Sequence, residues 1–492
     1  MRRTSFLGLA SMIVAVGTYA ACVDDDPSNP GFQFDGGGLD AASPDGTTPE
    51  TGVPPVGIDA GGDAAPAPVT VILTRAGAPA SGVTVVFHDA SGAVLDTRTT
   101  DASGQAAMVV PAGSQVTAVF GTVTNPELVT IAGVEPGDVL RAAEPLAAAQ
   151  PPFPSIDIES APASPPAGTA YYVARVGSCS NSVNVVDGGQ TGPINVTLDP
   201  GCTNGSTVSV VVEAKSAGSA TLGFASLASA SIADAGVVTP MPVDVGGTWA
   251  DAGAQALQVV GADPVASGNA VYSEIMNSGA ISSFTNVVGN ADGGPLQLSF
   301  EVHPGVAANG QYEVNYREDL SSGVAFRAIA GRSASGGSPS IDVAQMMPAL
   351  TAADVDAGVP ARPAVTWASS TPVTADGLFV RVRWWESPTD GGPYVSGHWT
   401  MVVPPQTQVI QAPQLPPALA AYAPSATSSV NQTPTLVFVD SSLLPGYREL
   451  RQVSASVGPS QNMYEDRPGG GLVPILPADG TLKLTAVTEP ID

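Results

Sequence analysis

The sequence predicts an all-β protein, tandem β-sandwich domains behind a disordered acidic tether. Three observations carry this. Gly and Pro number 55 and 46 in 492 residues, too many for long helices. From residue 69 onward, short runs rich in Val, Thr and Ile recur at roughly ten-residue spacing between Asp-Gly, Ser-Gly and Pro-Gly turns, the pattern of short antiparallel strands. Hydrophobic residues make up 43%, enough for packed cores, while charged residues reach only 12%. The length fits about three domains of 100–150 residues plus tails.

The chain opens as an export signal over residues 1–21. Arg2 and Arg3 form a positive n-region, and Phe6 to Val16 supply an apolar run too short to span a bilayer as a helix. The Arg pair raises the twin-arginine route, but Phe6 lies one place too far from it, which favours the general secretory route. No later run of about 20 apolar residues offers a transmembrane helix. The leader ends Tyr19-Ala20-Ala21-Cys22, which resembles the lipobox of bacterial lipoproteins, with Tyr19 where that pattern prefers Leu. The resemblance implies lipidation of Cys22, cleavage before it, and a membrane partner reached through the acyl chains. The alternative is an ordinary signal cut after Ala20, leaving a free thiol. Val23, not Asp, follows the cysteine. By resemblance to Gram-negative sorting signals this implies the outer membrane, within an extracytoplasmic bacterial envelope location.

Residues 22–66 carry nine acidic residues and no Lys or Arg. Such a Gly/Pro-rich segment cannot bury enough apolar surface to offset its ordering entropy, and self-repulsion extends it. It reads as a disordered spacer.

The first folded domain is expected over 67–148, with strands at 69–75, 83–89, 93–100, 105–110 and 115–121. Gly77, Pro79, Gly82, Val83, Asp101 and Gly104 resemble the turn signature of the carboxypeptidase regulatory-like and bacterial Ig-like families. Over about 80 residues that resemblance implies an Ig-like sandwich used as a spacer or docking unit. A Pro-rich break opens a second β domain at 149–245, with strands at 169–176, 193–199, 206–215 and 221–228. It holds Cys179 and Cys202. Lipidation of Cys22 leaves these two as an even pair, and a disulfide between them would close a Gly-rich loop and add about 3 kcal/mol. The rival, a redox or metal pair, needs tighter spacing and further ligands.

A third domain is expected over 246–410. Leu296, Leu298, Phe300 and Val302 share one strand face, and Tyr312, Val314 and Tyr316 another, which predicts a half-buried hairpin of 296–303 with 311–317. A second hairpin is expected from 378–386 and 394–403. The stretch 341–350 has room for two helical turns at most. Residues 411–492 read as a β extension or a small separate domain, with strands at 434–439, 447–456 and 482–487.

Chemistry-bearing motifs are sparse. The only histidines are His88, His303 and His398. None stands in a metal-ligand spacing, so no transition-metal site and no cofactor is implied. The chain has no G-x-S-x-G elbow, S-x-x-K set, P-loop or dinucleotide fingerprint. Asp89 and Asp101 are twelve apart, the span of a calcium loop, but Ala93 and Val94 occupy positions where a ligand and a Gly are needed. Turn capping explains both residues as well.

One constellation stands out. Arg381, Arg383 and Trp385 alternate with Val380, Val382 and Trp384, and Tyr394 and His398 stand on the expected partner strand. Arg and aromatic groups on a solvent face suit a glycan or an anionic ligand. The alternative places the Trp rings in the core with Arg stems at its rim.

The net charge of −27, from 44 acidic and 17 basic residues, excludes nucleic acid as a partner, because that binding depends on Lys and Arg neutralising phosphates. The expectation is a non-catalytic, surface-anchored lipoprotein with a structural or adhesive envelope role and a glycan or protein partner. The alternatives are a ligand-binding lipoprotein using 378–403 and an unrecognised hydrolase.

Overall fold

The computed structural model describes residues 66–143, 154–198, 207–232, 240–262, 267–287, 294–453 and 476–488, apart from short gaps inside these spans. The leader, Cys22, nearly all of the expected tether and Cys202 lie outside the described residues.

The described chain is nearly all strand, relieved by two 3-10 turns, Val343–Gln345 and Pro417–Tyr422, and one helix, Tyr447–Val453. The first unit is a sandwich. Val69–Arg75 buries Val69, Val71 and Leu73 on one face. It pairs antiparallel with Ala78–Pro79 and Gln105–Met108 and parallel with Val139–Ala143. The facing sheet runs Val94–Thr99, Thr84–His88, Ser114–Thr122, Asn125–Val134. Leu73 and Leu140 from one layer meet Phe87 and Phe120 from the other in a single core.

The second unit lays the five strands Gly189–Gln190, Cys179–Val186, Tyr171–Val176, Thr207–Lys215 and Thr221–Ser231 over Ile194–Thr197, Ser155–Ser160 and Met241–Asp244. Ile156, Tyr172, Val210, Val212 and Val243 fill the space between them. Three units close alike, with first and last strands parallel. These pairs are Val69–Arg75 with Val139–Ala143, Ser155–Ser160 with Met241–Asp244, and Gly253–Val260 with Ser340–Asp342.

The remaining chain does not form isolated modules. One sheet of 13 strands among the described residues runs in the order Gly279–Val287, Ser267–Met276, Asn309–Asp319, Val324–Ala334, Thr481–Thr488, Thr435–Ser441, Gly377–Glu386, Val395–Val403, Asn125–Val134, Ser114–Thr122, Thr84–His88, Val94–Thr99, with Ser429–Val430 beside Gly377–Glu386. The join to the first unit is parallel, from His398 opposite Glu127 to Val402 opposite Ile131. Thr481–Thr488 inserts between Val324–Ala334 and Thr435–Ser441. A continuous sheet therefore passes through the stretches 67–148, 246–410 and 411–492.

Smaller sheets cover it. Leu296–Val302, Gly253–Val260 and Ser340–Asp342 bring Leu257 and Phe300 against Tyr272, Val314 and Tyr316. Leu350–Asp356, Ala364–Ser369 and Val409–Gln411 bring Leu350, Val355 and Val365 against Val380, Trp384 and Phe438. Alternate residues of one strand serve different cores. Val402 joins the core of the first unit, while Met401 and Val403 join that of the C-terminal unit.

Three expectations are corrected. The stretches 296–303 and 311–317 are not a hairpin, because Leu296–Val302 pairs with Gly253–Val260 and Asn309–Asp319 lies in the long sheet. The strand expected at 447–456 is the helix Tyr447–Val453. Its buried Leu450 and Arg451 and half-buried Tyr447 follow i, i+3, i+4 spacing, which belongs to a helix face. The helix expected within 341–350 shrinks to the turn Val343–Gln345, where the Asp342 carboxylate accepts from the Ala344 N–H at 3.0 Å.

Candidate functional site

The expected hairpin forms, Gly377–Glu386 with Val395–Val403, in a register that sets Arg383 opposite His398 and Trp385 opposite Ser396. Val380, Val382, Trp384 and Trp399 are buried in the C-terminal core. Strand alternation then places Arg381, Arg383 and Trp385 on the other face.

That face is not uniformly open. Arg381 is only 7% exposed, beside Phe379 and Val437, which belong to the first unit's core. Arg383 is half-buried. His398 is half-buried too, and its Nδ1 lies 2.7 Å from Glu127 Oε1 across the parallel seam. Arg381 and His398 are thus built into the scaffold and are not presented to a ligand. The sheet is central and covered on both sides, so the alternation separates two cores here instead of separating core from water. Only toward the open end of the hairpin does the face meet solvent, with Trp385 37% and Tyr394 55% exposed. Trp385 pairs with Ser396, two residues along the chain from Tyr394. Val123, exposed in the neighbouring turn, stands near them, since the Ser396 N–H donates to the Thr124 carbonyl at 3.1 Å.

Asp89 and Asp101 are turn caps. Asp89 Oδ1 accepts from the Ser91 N–H, the Ser91 hydroxyl and the Ala93 N–H at 2.8, 2.7 and 2.9 Å. Asp101 repeats this with Ser103 and Gln105 at 2.8, 2.6 and 3.0 Å. Hydrogen bonds from Ser91 and Ser103 respectively, the largest influence on each, hold both carboxyls below their ordinary range. The two turns stand at opposite ends of Val94–Thr99, and six extended residues span about 20 Å. They cannot share one cation. Among the described residues no group of three His, Cys, Asp or Glu is placed to hold a metal.

Cys179 is buried in the core of the second unit. Sequence reasoning did not find Glu127, the partner of His398. Nor did it find the polar chain formed by His88, Thr117, Thr130 and Trp399. His88 Nε2 lies 3.0 Å from Thr117 Oγ1, which lies 2.9 Å from Thr130 Oγ1, which accepts from Trp399 Nε1 at 2.9 Å. All four residues are fully buried. Their only sequence trace is a polar residue at alternate positions of otherwise apolar strands.

No family model and no curated protein matches the chain. Among solved structures it is similar to the Bacillus anthracis TIE protein, at 10% identity over 56% of this chain and 49% of that one, with a TM-score of 0.14. It is similar also to a tetra-tandem repeat from the extending region of a large adhesion protein, at 12% identity over 76% and 95%, TM-score 0.12. A third likeness is to the chicken CNTN1 FN1–FN3 domains, at 10% identity over 57% and 99%, TM-score 0.12. The chain spans about half the length of the first of these. The all-β sandwich architecture rests on the strand pairing itself.

Proposed function

We propose that the protein is a non-catalytic lipoprotein, anchored through Cys22 in the bacterial envelope, with a structural or adhesive role. The observation that carries this reading is the parallel seam between Asn125–Val134 and Val395–Val403. It joins into one sheet what would otherwise be separate modules, and a continuous sheet suits a structural element. The titratable groups described at the seam support the same reading, since His398–Glu127 and Arg451–Asp138 are consumed in holding it together. A bridge from the buried Cys179 to Cys202 belongs to this proposal, as export permits it. The test is metabolic labelling with a fatty-acid analogue in a lipoprotein-processing host. Label should be lost in Cys22→Ala, and label unchanged by that substitution would sink the anchor.

A second reading is favoured by the exposure of Trp385 and Tyr394 on one face. Their rings offer an apolar platform for the C–H faces of a sugar. Binding to a glycan array should fall at least tenfold in Trp385→Ala and Tyr394→Ala. Equal binding by both variants would remove this reading and leave the first untouched.

A further inference from the structure

We infer that residues 155–244 form an arm whose angle to the rest of the molecule is pinned by an imidazolium at His303, and that loss of its proton frees the arm. No strand of the arm pairs with the long sheet or its covers among the described residues. The arm meets the body at an apolar contact of Val211 and Phe224 with Met276 and Ile281, edged by Val306 and Ala307, and Phe224 exchanges two 2.8 Å backbone hydrogen bonds with Ala250 of the chain leading into the body. Beside that contact lies a cluster of charges.

His303 follows the strand Leu296–Val302 and is 2% exposed. It is the centre of this joint. Its backbone N–H donates to Glu274 Oε1 at 2.8 Å. Its Nδ1 lies 2.6 Å from Glu274 Oε2, and its Nε2 lies 3.0 Å from Glu213 Oε1 on the arm. The edge of the ring packs against Phe224, with centroids 5.0 Å apart. The second oxygen of Glu213 meets Arg175 Nε at 3.1 Å and Lys215 Nζ at 3.2 Å, both from the arm. Lys215 Nζ reaches Glu301 Oε1 of the body at 3.1 Å, and the Thr221 hydroxyl contacts both Lys215 and Glu301.

With Glu213 and Glu274 ionised, the geometry calls for a doubly protonated ring. An ionised carboxylate only accepts hydrogen bonds, and a neutral imidazole has one donor nitrogen and one acceptor nitrogen. With carboxylate oxygens on both sides, His303 satisfies both only when both nitrogens carry hydrogen. The cluster then holds three carboxylates and three cations. Removing the proton leaves a lone pair facing a carboxylate in a buried site and one uncompensated negative charge, which such a site penalises.

The titration behaviour agrees. Burial pulls the imidazole down, but the hydrogen bonds and charges of Glu213 and Glu274 outweigh it and hold the group at about 9, above its ordinary 6.5. A raised histidine contributes stability that is complete below 6.5 and is lost as pH rises through about 9.

The test uses the full chain, with imidazole nitrogen NMR and small-angle X-ray scattering followed together through a pH titration. At neutral pH both ring nitrogens of His303 should carry hydrogen. The radius of gyration should stay constant until His303 titrates and then rise with the same midpoint. Glu213→Gln keeps the side-chain volume and should move both midpoints down together. A neutral His303 at pH 7 would overturn the inference. So would a scattering profile unchanged through its titration, or a midpoint in scattering that stays put when the NMR midpoint moves.

Discussion

At the scale of single residues, His88 and His303 are set in opposite directions by their surroundings. His88 is fully buried in the polar chain that ends on Trp399. The indole N–H only donates, so Thr130 accepts from it and can donate to Thr117, which can donate in turn to His88 Nε2. This chain suits a neutral ring. Burial, the largest influence, pulls the group from 6.5 to about 4 against the charge of Asp89, while Arg362 acts with burial. A depressed histidine binds its proton more tightly when unfolded. Stability is therefore complete above 6.5 and falls with acid, the loss levelling off below about 4 at about 3 kcal/mol. Glu213 is held down at about 2, its burial outweighed by the His303 hydrogen bond and by Arg175 and Lys215, so its contribution is lost only as pH falls from 4.5 through about 2. The urea midpoint should peak near pH 6.5 and decline on both sides, with His303 dominating the alkaline limb. His88→Asn should flatten the decline between 6.5 and 4.5 whatever its absolute stability. An acid limb as steep as that of the parent chain would refute the assignment.

At the scale of elements, the hairpin at 377–403 shows how much was legible and where legibility stopped. Alternation alone placed Val380, Val382 and Trp384 together, and they share a core. It could not show that the opposite face around Arg381 is covered as well, because that cover comes from chain about 250 residues away. The same limit applies to Asn309–Asp319, where Gln311, Glu313 and Asn315 are buried opposite Val314 and Tyr316. Polar residues at alternate positions read as a wet face, yet a central strand has two covered faces. The helix Tyr447–Val453 was readable in principle. Leu, Glu, Arg and Gln are good helix formers, and the spacing of Tyr447, Leu450 and Arg451 is helical. It bolts the seam, with the Tyr447 hydroxyl 2.7 Å from the Ala132 carbonyl and Arg451 Nη1 2.6 Å from that of Gly133. Gly397 offers the sharpest test of the seam. It pairs with Trp384, and a Cβ there would run into the Trp384 indole and the ring of Pro126. Gly397→Ala should cost about 1–3 kcal/mol through overpacking. Ser396→Ala next to it should stay within about 0.5 kcal/mol. Equal urea midpoints for the two variants would contradict the packing described.

At the scale of the whole molecule, the first unit is not a free spacer. Val86, Val119 and Leu128 on its outward sheet face lie in the same core as Leu415 and Ala423 from the C-terminal part of the chain. Arg451 Nη2 pairs with Asp138 at 2.8 Å across the same junction. An isolated Ig-like module would leave that sheet face and the outer edge of Asn125–Val134 to solvent, and an unpaired edge invites association. The strand class was legible in the sequence, because alternation and turn residues are local consequences of backbone geometry. The acidic character was legible in the same way, because charge is a sum over residues. The lipobox-like ending at Cys22 was equally local. Long-range packing alone sets Asn125–Val134 against Val395–Val403, builds Arg381 and His398 into the scaffold, and stands His303 between two carboxylates. Those contacts join residues far apart in the chain, and no local pattern encodes which distant strand will supply the partner.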